Sequence, residues 1–130
     1  MSVNLVQRAR MLDWAAYGIL WVRIAFGSHA LISGLNYFIP LFPLSNGPSP
    51  SPIGAFQDEM TRIGLYEFVK MIEVIVGTFL LANRLVILMA IIEMPITVAI
   101  SYLCIFVDRS PGIVFSGLRE IFFNSVLLAA

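Results

Sequence analysis

The sequence predicts an all-α membrane protein: an antiparallel four-transmembrane-helix bundle with a short interfacial helix in the first loop. Three observations carry that reading. Of 130 residues, 59% are hydrophobic and 12% charged, and the mean hydropathy of +0.91 lies far outside the soluble range. The apolar residues gather in four long stretches, separated by Pro, Gly, Asn and charged residues. Inside those stretches stand Arg23, Lys70 and Arg119 against Glu73, Glu93 and Glu120, three charges of each sign. One charge at the bilayer centre costs roughly 2.5–3.5 kcal/mol, so six unpaired ones would cost on the order of 15–20 kcal/mol. They must turn inward and meet.

The first span covers 13–39, preceded by the basic segment MSVNLVQRAR and closed by Pro40 and Pro43. At ~1.5 Å rise per residue it crosses ~30 Å of hydrocarbon. It has no small-x-small exit, so it reads as a retained span rather than a cleaved signal. Residues 41–52, LFPLSNGPSPSP, alternate Pro with Ser, Asn and Gly and form a polar loop. In 53–63, Ile53, Phe56, Met60 and Ile63 recur at helical spacing with Gln57, Asp58, Glu59 and Arg62 between them, which predicts a short helix at the interface. Spans at 64–82 and 85–107 are separated only by Asn83 and Arg84, which forces an antiparallel hairpin. Residues 108–112 turn the chain into the shortest span, 113–130, which holds Arg119 and Glu120 side by side. Arg8, Arg10 and Arg84 fall on one side of this arrangement and Arg62 and Arg109 on the other, which places both termini in the cytoplasm.

Each span owns one polar seam when positions are taken at about 100° per residue. On the first helix, Arg23, Gly27, Ala30, Gly34 and Tyr37 share a face whose small residues admit a close neighbour. His29, Ser33 and Asn36 make a separate polar stripe. Tyr66, Lys70, Glu73 and Gly77 align on the second helix, Glu93, Thr97, Ser101 and Cys104 on the third, and Ser116, Glu120 and Asn124 on the fourth. Matching depth as well as face predicts that Arg23 pairs with Glu93 and that Glu73 sits between Lys70 and Arg119. Glu120 is left without a partner.

Several function classes drop out at once. No run of basic residues offers a nucleic-acid footprint. A single cysteine, Cys104, removes an internal disulfide, a C-x-x-C pair and a thiolate metal cage, and reads as a small core residue. A single histidine, His29, leaves no bis-histidine haem and no di-iron site. The ionisable set can serve as structural ion pairs that fix helix register. It can also form a proton path or bind a polar head group such as a quinone ring. His29, with Ser33 and Asn36 in support, is the candidate ligand or quinone contact, against the plainer role of bonding a neighbouring helix. Pro95 removes a backbone hydrogen bond and frees a carbonyl near Ile91, which kinks the helix and opens a cavity beside Glu93 or is simply a packing kink. Trp14, Tyr17 and Trp21 at one end and Tyr37, Phe38 and Phe42 at the other fit interface anchors.

The segments VRIAFGSHALISGLNYFIP (22–40), EVIVGTFLLANR (73–84) and PITVAI (95–100) resemble the DoxX-like family of small four-helix membrane proteins. The resemblance covers about residues 20–107 and rests on Arg23, Gly27, Gly34, Glu73, Gly77, Asn83, Arg84 and Pro95. Ala99 stands where the family often has asparagine, and Glu93 is a further departure. The resemblance implies a bacterial inner membrane and association with quinol oxidase or thiosulfate:quinone oxidoreductase systems. The expected function is therefore a non-catalytic accessory or assembly subunit, docking on a larger membrane complex of electron transfer or forming a homo-oligomer in the lipid bilayer. The alternative is a quinone- or proton-handling component acting through Glu73, Glu93 and Arg23. A small transporter is a third reading, weakened by the lack of an internal repeat. No cofactor or metal is assigned; quinone and lipid are the candidate ligands, and no nucleic acid is expected.

Overall fold

The computed structural model describes residues 5–43 and 51–130, so most of the loop expected over 41–52 lies outside the described residues. The described chain is helical throughout: α1 (Leu5–Phe38), α2 (Pro52–Arg62), α3 (Leu65–Leu81), α4 (Val86–Tyr102) and α5 (Pro111–Ala129), with α4 running on into a π-helical turn, Leu103–Asp108. Three helices are long and apolar enough to cross a membrane: Leu5–Phe38, Val86–Asp108 and Pro111–Ala129. The segment expected to span over 64–82 forms α3, which has 17 residues. That is about 25 Å of helix against ~30 Å of hydrocarbon.

Local chemistry sets the helix ends. Ser51 caps α2, its Oγ accepting from Gly54 N at 3.1 Å, and Pro52 occupies the first turn, where its missing N–H costs nothing. Between α3 and α4 the chain reverses through Asn83 (φ 56°) and Leu85 (φ 52°), both in the left-handed region. After α1, the Asn36 side chain accepts from Leu41 N and Phe42 N, both at 2.8 Å, and so satisfies amides that Pro40 has cut off from the helix ladder.

The four long helices form a ring in the order α1, α3, α4, α5, with α1 and α4 on one diagonal and α3 and α5 on the other. The α1–α3 seam is antiparallel and backbone-tight. A Cβ on Gly77 would lie 2.5 Å from Leu31 N and 2.7 Å from Gly27 O, and one on Gly34 would lie 2.8 Å from Lys70 O. Only glycine allows that approach. Across the ring, Ser101 Oγ donates to Gly117 O at 2.9 Å, and a Cβ on Gly117 would meet Cys104 Cβ at 2.8 Å.

A dry core of Val22, Phe26, Val76, Leu80, Met89, Ala90 and Leu127 fills the end of the ring that holds the α3–α4 turn. The polar residues lie beyond it, and α2 packs over α3 and the π-helical turn at the far end. Exposure is inverted relative to a soluble protein: Phe115 and Phe122 are 67% and 60% exposed, whereas Glu73 and Glu93 are each 5% exposed. Lipid, which cannot hydrogen-bond, favours that distribution. This is a membrane protein with its charges inside.

Candidate functional site

The centre of the ring is built from one turn of each helix. On α3, Lys70 and Glu73 are three residues apart and therefore adjacent on one face. Lys70 Nζ donates to Glu73 Oε2 and to Ser33 Oγ of α1, each at 2.8 Å. The same ammonium lies 5.2 Å from the centroid of the Tyr66 ring. On α5, Arg119 Nη2 donates to Glu120 Oε1 at 2.7 Å. Glu120 Oε1 is also 3.3 Å from His29 Nδ1, and His29 Nε2 is 3.5 Å from Arg119 Nη2. One level further toward the core, Asn124 Nδ2 donates to Thr97 Oγ1 at 2.9 Å, joining α5 to α4.

Two charged groups stand apart from these pairs. Glu93 is buried, and its Oε2 has no hydrogen-bond partner. Arg23 Nε is likewise buried without an acceptor. The expected Arg23–Glu93 pair does not form, because α1 and α4 are diagonal in the ring. Arg23 is not among the residues of the central cavity, to which α1 contributes Phe26, His29, Ala30 and Ser33. Glu73 has Lys70 but not Arg119, which bonds Glu120 instead. Glu120, expected to stand alone, holds Arg119 and approaches His29. The His29, Ser33, Asn36 stripe also divides. His29 joins Glu120, Ser33 joins Lys70, and Asn36 holds the turn after α1.

Two cavities meet at this cluster. A polar one of about 170 Å³ is walled by His29, Lys70, Glu73, Glu93, Arg119 and Glu120, among others. An apolar one of about 340 Å³ opens between α2, α3 and α4, with Phe56, Met60, Val69, Pro95, Ala99 and Leu103 on its walls. Lys70, Glu73, Ile100 and Cys104 line both. The cavity expected beside Glu93 corresponds to the polar one, which Glu93 lines, while Pro95, two residues later and on the opposite side of α4, lines the apolar one. The π-helical turn contributes Leu103 and Cys104, its wider coil replacing regular packing where α4 passes under α2.

Missing from the sequence expectation was Gly117, which lets α4 and α5 close below the polar cavity. Its spacing of three and seven residues to Glu120 and Asn124 put it on the same stripe. The apolar pocket was equally unannounced, because it is made by three segments remote in sequence. Chemically, a greasy chamber of ligand-binding size that ends on a buried ammonium–carboxylate pair suits a molecule with an apolar body and a polar end. No family model, curated protein or solved structure matches the chain.

Proposed function

We propose that this chain is a four-span protein of a bacterial inner membrane that holds one amphiphile, of quinone or lipid type, in the chamber beneath α2. The observation that carries this reading is the chamber itself: about 340 Å³ with Phe56, Met60, Ala99 and Leu103 as walls and the Lys70–Glu73 pair at its inner end. Small-ligand sites occupy ~300–1,000 Å³ and combine apolar walls with a few convergent polar groups. In this reading α3 completes the fourth crossing, with α2 lying along the interface above it. Extraction of the purified protein into organic solvent, followed by mass analysis, tests the proposal. A stoichiometric amphiphile is expected with the wild type and with Ile91→Trp on the outer face, and none with Ala99→Trp, which fills the chamber. Equal recovery from all three would refute it.

A second reading, the non-catalytic subunit of a larger membrane complex suggested by the DoxX-like motifs, is favoured by a different observation. Residues 5–21 of α1 are exposed along their whole length, about 25 Å of helix at ~1.5 Å per residue. Trp14, Tyr17 and Trp21 stand on that stretch, with Trp21 meeting Phe123 edge-on at 5.5 Å. Such a rod offers a lateral surface to a companion chain. Purification in mild detergent tests this, with a stoichiometric companion expected and a protein that runs alone counting against it. Both readings are compatible, since a docking subunit can carry an amphiphile to its partner.

A further inference from the structure

Resting on the reading that an amphiphile occupies the chamber beneath α2, the chemistry of its polar end follows from the cavity behind it. We propose that this polar cavity is the head-group subsite and that Glu93 is its recognition residue, taking an amphiphile whose buried end is a hydrogen-bond donor, a hydroxyl or an ammonium.

Each other ion at the cavity has a partner. Lys70 is bound to Glu73 at 2.8 Å and Arg119 to Glu120 at 2.7 Å. Glu93 is the surplus: 5% exposed, lining the cavity, with Oε2 lacking any donor from the protein. A carboxylate oxygen is an acceptor only, and a buried acceptor without a donor is costly. A group that supplies N–H or O–H satisfies the ionised carboxylate in place of the proton that a buried, unpaired carboxyl otherwise takes up. Charge selects in the same direction. Three carboxylates face two cations here, Glu73, Glu93 and Glu120 against Lys70 and Arg119, with His29 at the rim. A carboxylate- or phosphate-ended molecule would add to the surplus, whereas a hydroxyl leaves it unchanged and an ammonium cancels it. Among the described residues no three His, Cys, Asp or Glu side chains converge in a way that could hold a metal ion, so the donor is assigned to an organic head. Lys70, Glu73, Ile100 and Cys104 are walls of both cavities, so the polar cavity adjoins the inner end of the apolar chamber.

Native mass spectrometry of the full chain released from detergent micelles tests this with three probes: 1-dodecanol, its methyl ether, which has lost the donor, and dodecylammonium. The expected result is that dodecanol binds about tenfold or more tightly than the ether, the value of one buried acceptor satisfied. Dodecylammonium binding tighter still would assign the head as ammonium, and dodecanol binding tighter than dodecylammonium would assign it as hydroxyl. Glu93→Leu, which replaces the acceptor by an apolar group, is expected to erase the dodecanol preference while retaining ether binding. Equal binding of dodecanol and ether to the wild type would overturn the assignment and leave the apolar chamber standing. Failure of all three probes to bind would overturn the chamber reading and this proposal with it. Should Glu93→Leu not fold, Ser116→Val at the same cavity is expected to keep the alcohol preference, and its loss there would contradict the role given to Glu93.

Discussion

Lys70 Nζ lies 2.8 Å from Glu73 Oε2, one turn apart on α3, and Ser33 of α1 accepts a second bond from the same ammonium at 2.8 Å. The pair is almost wholly removed from the surface, so each charge depends on the other. Neither can be deleted alone without leaving an uncompensated ion in a medium of low dielectric.

Lys70→Met is therefore expected to destabilise the protein by about 3–5 kcal/mol. The double change Lys70→Met with Glu73→Leu should recover most of that loss, because two neutral side chains replace two desolvated ions. Unfolding midpoints in a graded denaturing-detergent titration measure both. A double variant no better than the single one would show that the pair has no mutual dependence.

The α1–α3 seam makes a contrasting pair of glycine predictions. Gly77→Ala places a methyl group within 3 Å of the α1 backbone at Leu31 and Gly27, and should cost about 1–3 kcal/mol by forcing the helices apart. Gly18→Ala meets nothing within 4 Å and should be neutral or stabilising by up to about 1 kcal/mol, since it removes a glycine from a helix interior. The same titration compares them.

Asn124 Nδ2 and Thr97 Oγ1, 2.9 Å apart, form a buried side-chain link between α4 and α5. A double-mutant cycle with Asn124→Ala and Thr97→Ala should return a coupling of about 0.6 kcal/mol and no more than ~1.7, the range for interhelical hydrogen bonds within lipid. Additive losses would show that the bond contributes nothing beyond packing.

With α3 as the proposed fourth crossing, the start of α1, the α3–α4 turn and the end of α5 belong on one side, with α2 opposite. Reporter fusions at Arg84 and after Ala130 should both report the cytoplasm, and an accessibility tag at Asp58 the other side. Opposite answers from Arg84 and Ala130 would mean that one of α4 and α5 fails to cross.

Helix positions and polar faces were legible in the sequence because hydropathy and 3.6-residue spacing are local properties. Lys70 and Glu73, three apart, could be paired on one helix without knowing any neighbour. Thr97, Ser101 and Asn124 fell on stripes that the ring turns toward one another. What spacing cannot encode is which helices adjoin. Arg23 and Glu93 matched in depth, yet α1 and α4 are diagonal and the two never meet. Asn36 sat on the His29–Ser33 stripe by spacing, but Pro40 downstream signalled a helix end whose loose amides need an acceptor, and the asparagine supplies it. The amphipathic pattern of α2 was readable; that Phe56 and Met60 roof a chamber floored by α3 and α4 was not, since the chamber exists only once three segments assemble.

The central claim, an amphiphile seated beneath α2, is tested most directly by a diazirine-bearing aliphatic residue introduced at Ile96 on the chamber wall, with Ile91 on the outer face as the comparison. After irradiation in native membranes and mass analysis of the peptides, the Ile96 position is predicted to yield one dominant small-molecule adduct and the Ile91 position the mixed adducts of bulk lipid. The same mixed adducts from both positions, or crosslinks from Ile96 to α2 alone, would contradict it.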